Sequence, residues 1–190
     1  MSENKKSGGM AGKLLKGVLA LVVLLAVVVF GGALALPSSY DFSREIVIKA
    51  DREDIHKDVG DVTKWQEWGP WKDEDPGMTW KTSEDHSNPG SWLAWEPTQF
   101  MSPPGRVEFT KANEHDGIEY KMQMSGKDFG AGAVSYVAAP DDATKVTWTW
   151  HVTLGYDPLN RWFLATSGGM MNDMFDKGLA KLKARHEAKK

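Results

Sequence analysis

Along Thr144–Leu154 the apolar side chains Val146, Trp148, Trp150, Val152 and Leu154 take every second position, with Thr147, Thr149, His151 and Thr153 between them. Alternation of this kind over β-branched and aromatic residues predicts a strand with one buried face. Two indoles and three aliphatic side chains on that face need a large apolar partner. From about Arg161 the period changes. Leu164, Gly168, Met171, Met174, Phe175, Gly178, Leu179 and Leu182 share one stripe of a helical wheel, and Asp173, Asp176, Lys177, Ala180, Lys183 and Ala184 lie opposite. That predicts an amphipathic helix of about 25 residues, long enough to cover a sheet. Lys181, Lys183, Arg185, Lys189 and Lys190 crowd its end, where the helix dipole favours cations, so the cluster needs no partner to explain it.

Upstream, Phe42–Ala50 alternates Ile46, Ile48 and Ala50 against Glu45, Val47 and Lys49 and reads as a first strand. Asp51 is a candidate N-cap for a short helix to about Val59, and Asp61 opens a second that runs to Trp68 and stops at Gly69-Pro70. Five further strands are expected at Met78–Thr82, Ser91–Glu96, Arg106–Lys111, Ile118–Ser125 and Ala131–Ala139, divided by Gly-, Pro- and Asp-rich turns. Ile118, Tyr120, Met122 and Met124 share one face of their strand, as Val107 and Phe109 do of theirs, the pattern of antiparallel strands buried on one side. Asp73-Glu74-Asp75-Pro76-Gly77 is read as a solvated turn, since it lacks the rest of a calcium loop.

Gly17–Leu36 carries no charge and at about 1.5 Å per residue spans roughly 30 Å, a bilayer core. The chain therefore divides into a short basic tail (1–13), a transmembrane anchor or uncleaved signal (14–36) and a domain (40–190). With all the early lysines before the apolar run, the positive-inside rule puts the N-terminus in the cytoplasm and the domain outside the inner membrane. Ala33-Leu34-Ala35 has the form of a signal-peptidase site, but the run exceeds the usual signal core, which favours retention.

Composition narrows the chemistry. There is no cysteine, hence no disulfide and no thiolate metal site. Setting aside Lys5, Lys6, Lys13, Lys16 and Glu3 from the 23 basic and 26 acidic residues leaves a domain with six more acids than bases, which does not suit a nucleic-acid partner. His56, His86, His115, His151 and His186 are scattered without ligand spacing, so neither metal nor cofactor is expected. His151 falls on the threonine face of its strand.

The order of one strand, two short helices, six strands and a long helix resembles the helix-grip fold of the SRPBCC superfamily, which includes START-like lipid carriers and polyketide cyclase/dehydrase-like proteins. The resemblance spans about Tyr40–Glu187. It is carried by Glu45-Ile-Val-Ile-Lys-Ala, Trp65-x-x-Trp68-x-Pro70-Trp71, Gly90-Ser-Trp92-Leu-Ala-Trp95, Thr144-Lys-Val-Thr-Trp-Thr-Trp and Met170-Met171-x-x-Met174-Phe-Asp-Lys-Gly-Leu-Ala-x-Leu. It implies an α+β fold, a seven-stranded curved antiparallel sheet around a long C-terminal helix, with an apolar cavity between them. Candidate lining residues are Trp80, Trp92, Met122, Met124, Trp148, Trp150, Met171, Met174 and Phe175, with Gly168 and Gly178 thinning the helix. Trp65, Trp68 and Trp71, at a spacing of three, read either as core packing or as a pocket rim, and Glu96 is a further candidate for the rim. No catalytic residue is assignable: Ser167 has no G-x-S-x-G around it, and Glu96 is the one acid in line with apolar strand residues, at the strand's end. The reading is an extracytoplasmic, membrane-anchored binding domain for a hydrophobic small molecule or lipid. A cyclase/dehydratase-type enzyme and a protein-interaction module with a filled core are the alternatives.

Overall fold

The computed structural model describes residues 8–99 and 102–188; Lys5 and Lys6 of the basic tail, and Lys189 and Lys190, lie outside the described residues. They form two compact units, one of the chain up to Ser38 with Leu154–Thr166, the other of Ser39–Thr153 with Ser167 onward.

In the first unit, α1 (Gly8–Ala26) passes through a π-helical turn, Val27–Gly31, into α2 (Gly32–Ala35). Gly12–Ala35, with a mean hydropathy of 3.0, is long and apolar enough to cross a membrane by length and composition. The same unit holds the start of the last helix, α6 (Pro158–Glu187). Asp157 caps it, its Oδ1 accepting from the N–H groups of Leu159 and Asn160 at 3.0 Å, with Pro158 in the first helical position. The helix therefore begins ahead of Arg161 and runs 30 residues. Asp157-Pro158 resembles turn punctuation in the sequence but acts as a cap.

The second unit is built on a seven-stranded antiparallel sheet in the order β1-β7-β6-β5-β4-β3-β2. The strands are β1 (Ser39–Ile48), β2 (Thr79–Thr82), β3 (Trp92–Glu96), β4 (Gly105–Asn113), β5 (Gly117–Met124), β6 (Lys127–Ala139) and β7 (Ala143–Thr153). Between β1 and β2 come α3 (Arg52–Val59), a 3-10 turn at Val62–Lys64, α4 (Trp65–Trp68) and α5 (Trp71–Glu74). The helix expected over 61–68 is thus split. Asp61 takes the Thr63 N–H at 2.8 Å and its hydroxyl at 2.6 Å, which tightens the first turn. Likewise β6 starts before Ala131, because Ser125 (φ 51°) and Gly126 (φ 74°) form a two-residue turn with both φ values positive, and Met124 pairs directly with Lys127. The architecture is the α+β helix-grip arrangement of a curved sheet and a long C-terminal helix.

Directly paired antiparallel residues share a face. One row of the inner face is Phe42, Trp150, Gly132, Tyr120 and Phe109, and the next includes Trp148, Val134 and Ile118. Gly132 is required in its row. A Cβ there would stand 2.3 Å from the Thr149 carbonyl oxygen and 2.5 Å from Tyr120, whose ring lies across it. The Tyr120 hydroxyl donates to Thr149 O at 3.2 Å and accepts from Trp148 Nε1 at 2.9 Å, so a buried phenol is satisfied twice.

From Ser167 onward α6 lies on this face. Gly168 is nearest Phe42, Phe175 stacks on Trp148 with centroids 4.3 Å apart, and Leu179 and Leu182 are buried beyond. Ion pairs fix its flanks: Asp176 to Arg44 (3.2 Å) on the β1 side, Lys177 to Glu74 (2.9 Å) and Lys181 to Asp73 (2.5 Å) on the α5 side. The acidic stretch read as a solvated turn therefore begins as a helix that docks on α6.

Candidate functional site

The inner face divides into a closed part and an open part. The closed part centres on Trp148, which packs against Phe175 and meets Trp65, Trp68 and Trp71 with centroids 6.2, 5.1 and 6.0 Å away. Trp65 and Trp68 are 1% and 0% exposed, and their indole N–H groups donate to the Val59 and Asp58 carbonyls at 2.8 and 3.2 Å. They belong to the core, so of the two readings of this trio core packing holds for both and the rim does not. Their spacing of three made them neighbours, but α4 is a single turn laid flat on the sheet and hides both. Gly178 also has a different part from the one expected: its missing Cβ would lie 2.8 Å from the Trp148 ring, so the gap admits Trp148. At this level the space between sheet and helix is filled.

Further along, Leu93 and Val107 are still buried, but the side chains around them are half-exposed. Trp71 stacks on buried Trp65 at 6.2 Å and carries the aromatic surface outward to Trp95 (6.5 Å) and Trp80 (6.5 Å), which are 6.4 Å from each other. Trp95, Gly105 and Met124 follow one another across β3, β4 and β5, and Leu93, Val107, Met122 and Gly130 form the neighbouring row. Met122, Met124, Trp80, Trp95 and Phe129 are all half-buried, as are Met171 and Met174 on α6. Met174 lies three and seven residues before Lys177 and Lys181, whose ion pairs face α5, so helical periodicity turns it to the same side as Trp71. Soft thioethers and flat indoles make this half-buried stretch apolar and adaptable.

Two expected residues are elsewhere. Trp92 pairs with Glu108 on the outer face, with the Arg106 guanidinium 4.4 Å over its ring. Glu96 pairs with Thr79 on the same outer face and is exposed. Tryptophans three apart in a strand must point to opposite faces, and Leu93 alternates with Trp95; that parity is the signal that identifies Trp95, not Trp92, as the inner residue. Phe129 had no signal. A register shift sets Gly130 opposite Met122 and Asp128 opposite Gln123, leaving Phe129 as the extra residue of a bulge, 5.7 Å from Trp150.

Trp150 sits between Phe42, stacked at 5.4 Å, and Phe129. Its Nε1–H and the Tyr40 hydroxyl are buried with no hydrogen-bond partner among the described residues. The indole N–H lies beside Gly130, 2.9 Å from where a Cβ would be.

Ionisable groups inside the sheet lie away from the open cleft. Burial pushes the Tyr120 and Tyr136 phenols up and the half-buried His56 imidazole down; His56 Nδ1 is 3.2 Å from the Tyr136 hydroxyl, under α3. His151 lies on the exposed outer face, 2.7 Å from Asp41. Among the described residues no three His, Asp or Glu side chains converge as a metal site would need. A separate polar hollow of about 420 Å³ is lined by Lys49, Asp51, Lys57, Asp58, Asp142 and His186, at the far end of α6.

The sequence matches the family profile described as polyketide cyclase/dehydrase and lipid transport over residues 39–187. No curated protein sequence matches it. Among solved structures, it is similar to the di-domain ARO/CYC StfQ of the steffimycin biosynthetic pathway (TM-score 0.58, 15% identity), covering 98% of this chain and 62% of that one. A Thermobifida fusca protein (TM-score 0.55, 19% identity) covers 77% of this chain and 92% of its own. Ms6760 from Mycobacterium smegmatis (TM-score 0.55, 12% identity) covers 79% and 92%. At these identities the likeness is one of fold.

Proposed function

The chain belongs to the polyketide cyclase/dehydrase and lipid-transport family, and from that premise we propose that it is a membrane-anchored, extracytoplasmic domain that binds a hydrophobic small molecule or lipid. The observation that carries this reading is the half-open apolar surface of Trp71, Trp80, Trp95, Met122, Met124, Met171 and Met174, beside a core otherwise closed by aromatic stacking. A half-buried apolar surface with adaptable side chains suits such a ligand. The unpartnered Trp150 indole adds a polar requirement, since a buried donor left without an acceptor is costly. The ligand is an apolar body carrying an acceptor oxygen. The helix Gly12–Ala35 serves as the anchor, with the lysine-bearing end inside.

Catalysis of the cyclase type asks for an acid or base at the cleft. The most strongly shifted groups, Tyr120, Tyr136 and Asp58, are tied into the core or the helix end, and buried Asp75 after α5 is held ionised by bonds from Thr98 and Gly77, which favours binding over chemistry. Native mass spectrometry of the full chain released from gentle detergent tests the reading. It should show an adduct of a small apolar molecule, and the stripped protein should take up a fluorescent fatty acid. Absence of both the adduct and the uptake overturns it in favour of an interaction module with a filled core.

A further inference from the structure

The corner that begins α6 is bound to the apolar N-terminal helix. Arg161 is buried, and its guanidinium donates to Gly155 O, to Ala33 O at 3.0 Å and to Leu36 O at 3.4 Å. Trp162 Nε1 donates to Val29 O at 3.0 Å, within the π-helical turn, and its ring lies against Gly32, where a Cβ would come 2.7 Å from it. Within the helix Ala33 O takes only the long Leu36 N–H bond (3.3 Å) and Val29 O the Gly32 N–H. A side chain from each of two successive residues of the corner adds a second donor, which an apolar medium favours.

The same corner leaves its apolar side chains bare. Tyr156 is 86% exposed, Leu159 72% and Phe163 49%, and Leu159 and Phe163, four apart, share one face of α6. They adjoin a helix whose own Phe30 and Leu34 are exposed at 62% and 67%. If Gly12–Ala35 is centred in a hydrocarbon core of about 30 Å, the core's edge falls near Ala33, at about 1.5 Å per residue. Arg161 is then at headgroup level and Trp162, bonded to Val29, about 6 Å deeper. A cation at the headgroups with an indole just below is what a bilayer interface favours.

We propose that Tyr156–Phe163 is a lipid-binding element: Leu159 and Phe163 insert into the bilayer's outer acyl region, while Arg161 and Trp162 fix them to the end of the span. This rests on the anchoring read above. A lipid surface is the occupant because the bare side chains continue the exposed surface of the span and carry no charge, while the corner's cation is turned inward to carbonyls. The consequence is that the N-terminal helix is a retained, structural part of the protein, because cleavage after Ala35 would remove the Ala33 and Val29 partners of Arg161 and Trp162.

The chain has no cysteine, so single nitroxide labels can be placed cleanly. Full-length L159C, F163C, L24C (mid-span) and E114C (an exposed hairpin turn) would be labelled and reconstituted in phosphatidylcholine vesicles. Collision with oxygen and with a water-soluble nickel chelate would then be read. Labels at 159 and 163 should resemble 24, with oxygen collisions raised and nickel collisions reduced severalfold relative to 114. If 24 reads as lipid but 159 and 163 read as water, the corner proposal fails and the anchor stands. If 24 also reads as water, both fail. Shielding of 159 and 163 from both reagents would indicate a protein partner and would also overturn the proposal.

Discussion

Replacing Trp148 by alanine is expected to cost about 3–5 kcal/mol, the range for deleting a large buried aromatic, from a total that for domains of this kind is about 5–15 kcal/mol. The side chain is buried, stacks on Phe175 at 4.3 Å, meets Trp65, Trp68 and Trp71, and donates to the Tyr120 hydroxyl. It is where the sheet, α4, α5 and α6 come together, so no single element can collapse to fill the hole. At about 2–4 °C per kcal/mol, the melting temperature should fall by roughly 10 °C or more in a circular-dichroism melt. Trp148→Phe keeps a ring against Phe175 and loses the hydrogen bond, and should recover most of the loss. Trp92→Ala, on the outer face under Arg106, should stay within about 1 kcal/mol, the scale of an exposed cation–π contact. Equal effects at 148 and 92 would mean that the two faces of the sheet have been assigned wrongly.

The second large effect is expected at Asp58. This buried carboxylate receives Arg185 through a fork, Nε to Oδ2 at 3.1 Å and Nη2 to Oδ1 at 2.9 Å, and His186 Nε2 lies 3.1 Å from Oδ2. Arg185 also reaches Glu67 Oε2 at 2.8 Å, so one cluster ties the end of α6 to α3 and α4. Burial alone would raise the Asp58 pKa. The paired hydrogen bonds and charge of Arg185, with the His186 ring beside them, outweigh it and hold the carboxyl well below the usual carboxylate range. The sign follows from linkage. A depressed folded-state pKa contributes stability that is present above the ordinary value of 3.8 and is lost as pH falls below it toward the folded value. Asp58→Ala should cost about 1.5–3 kcal/mol at neutral pH, because it removes the charge-assisted fork from Arg185, which keeps only Glu67. Below about pH 4 the wild type should lose that advantage, and the urea midpoints of the two proteins should converge. Curves that stay parallel down to pH 2 would show that this cluster is not what senses acid.

How far the sequence foretold this structure depended on whether a feature was periodic. Thr144–Leu154 alternates without interruption and is β7 almost to the residue, and the stripe from Gly168 to Leu182 is the face α6 lays on the sheet. The faces of short strands were harder to assign. β3 has five residues with a tryptophan on each side, and only its register with β4 shows that Trp95 is inside while Trp92 stacks under Arg106. The Trp65–Trp68 pair was visible as a unit, but its depth was not, since burial there comes from residues remote in sequence, Phe109, Tyr120 and Trp148. The expected hollow between sheet and helix was the reading most altered. Of its proposed lining, Trp148 and Phe175 fill the space themselves, while Trp80, Met122, Met124, Met171 and Met174 remain around the open part. Composition shows that a wall is apolar and adaptable but not whether it has closed on itself.

If the open part of the inner face takes up an apolar ligand, the nuclear magnetic resonance of methionine methyl groups in the full chain, titrated with a doxyl-labelled fatty acid, will show it. The methyl signals of Met122, Met124, Met171 and Met174 should broaden first, because those four half-buried side chains belong to the open part of the inner face and to the helix beside it. Uniform broadening, or broadening confined to methionines outside the cleft, would contradict a ligand site between the sheet and α6.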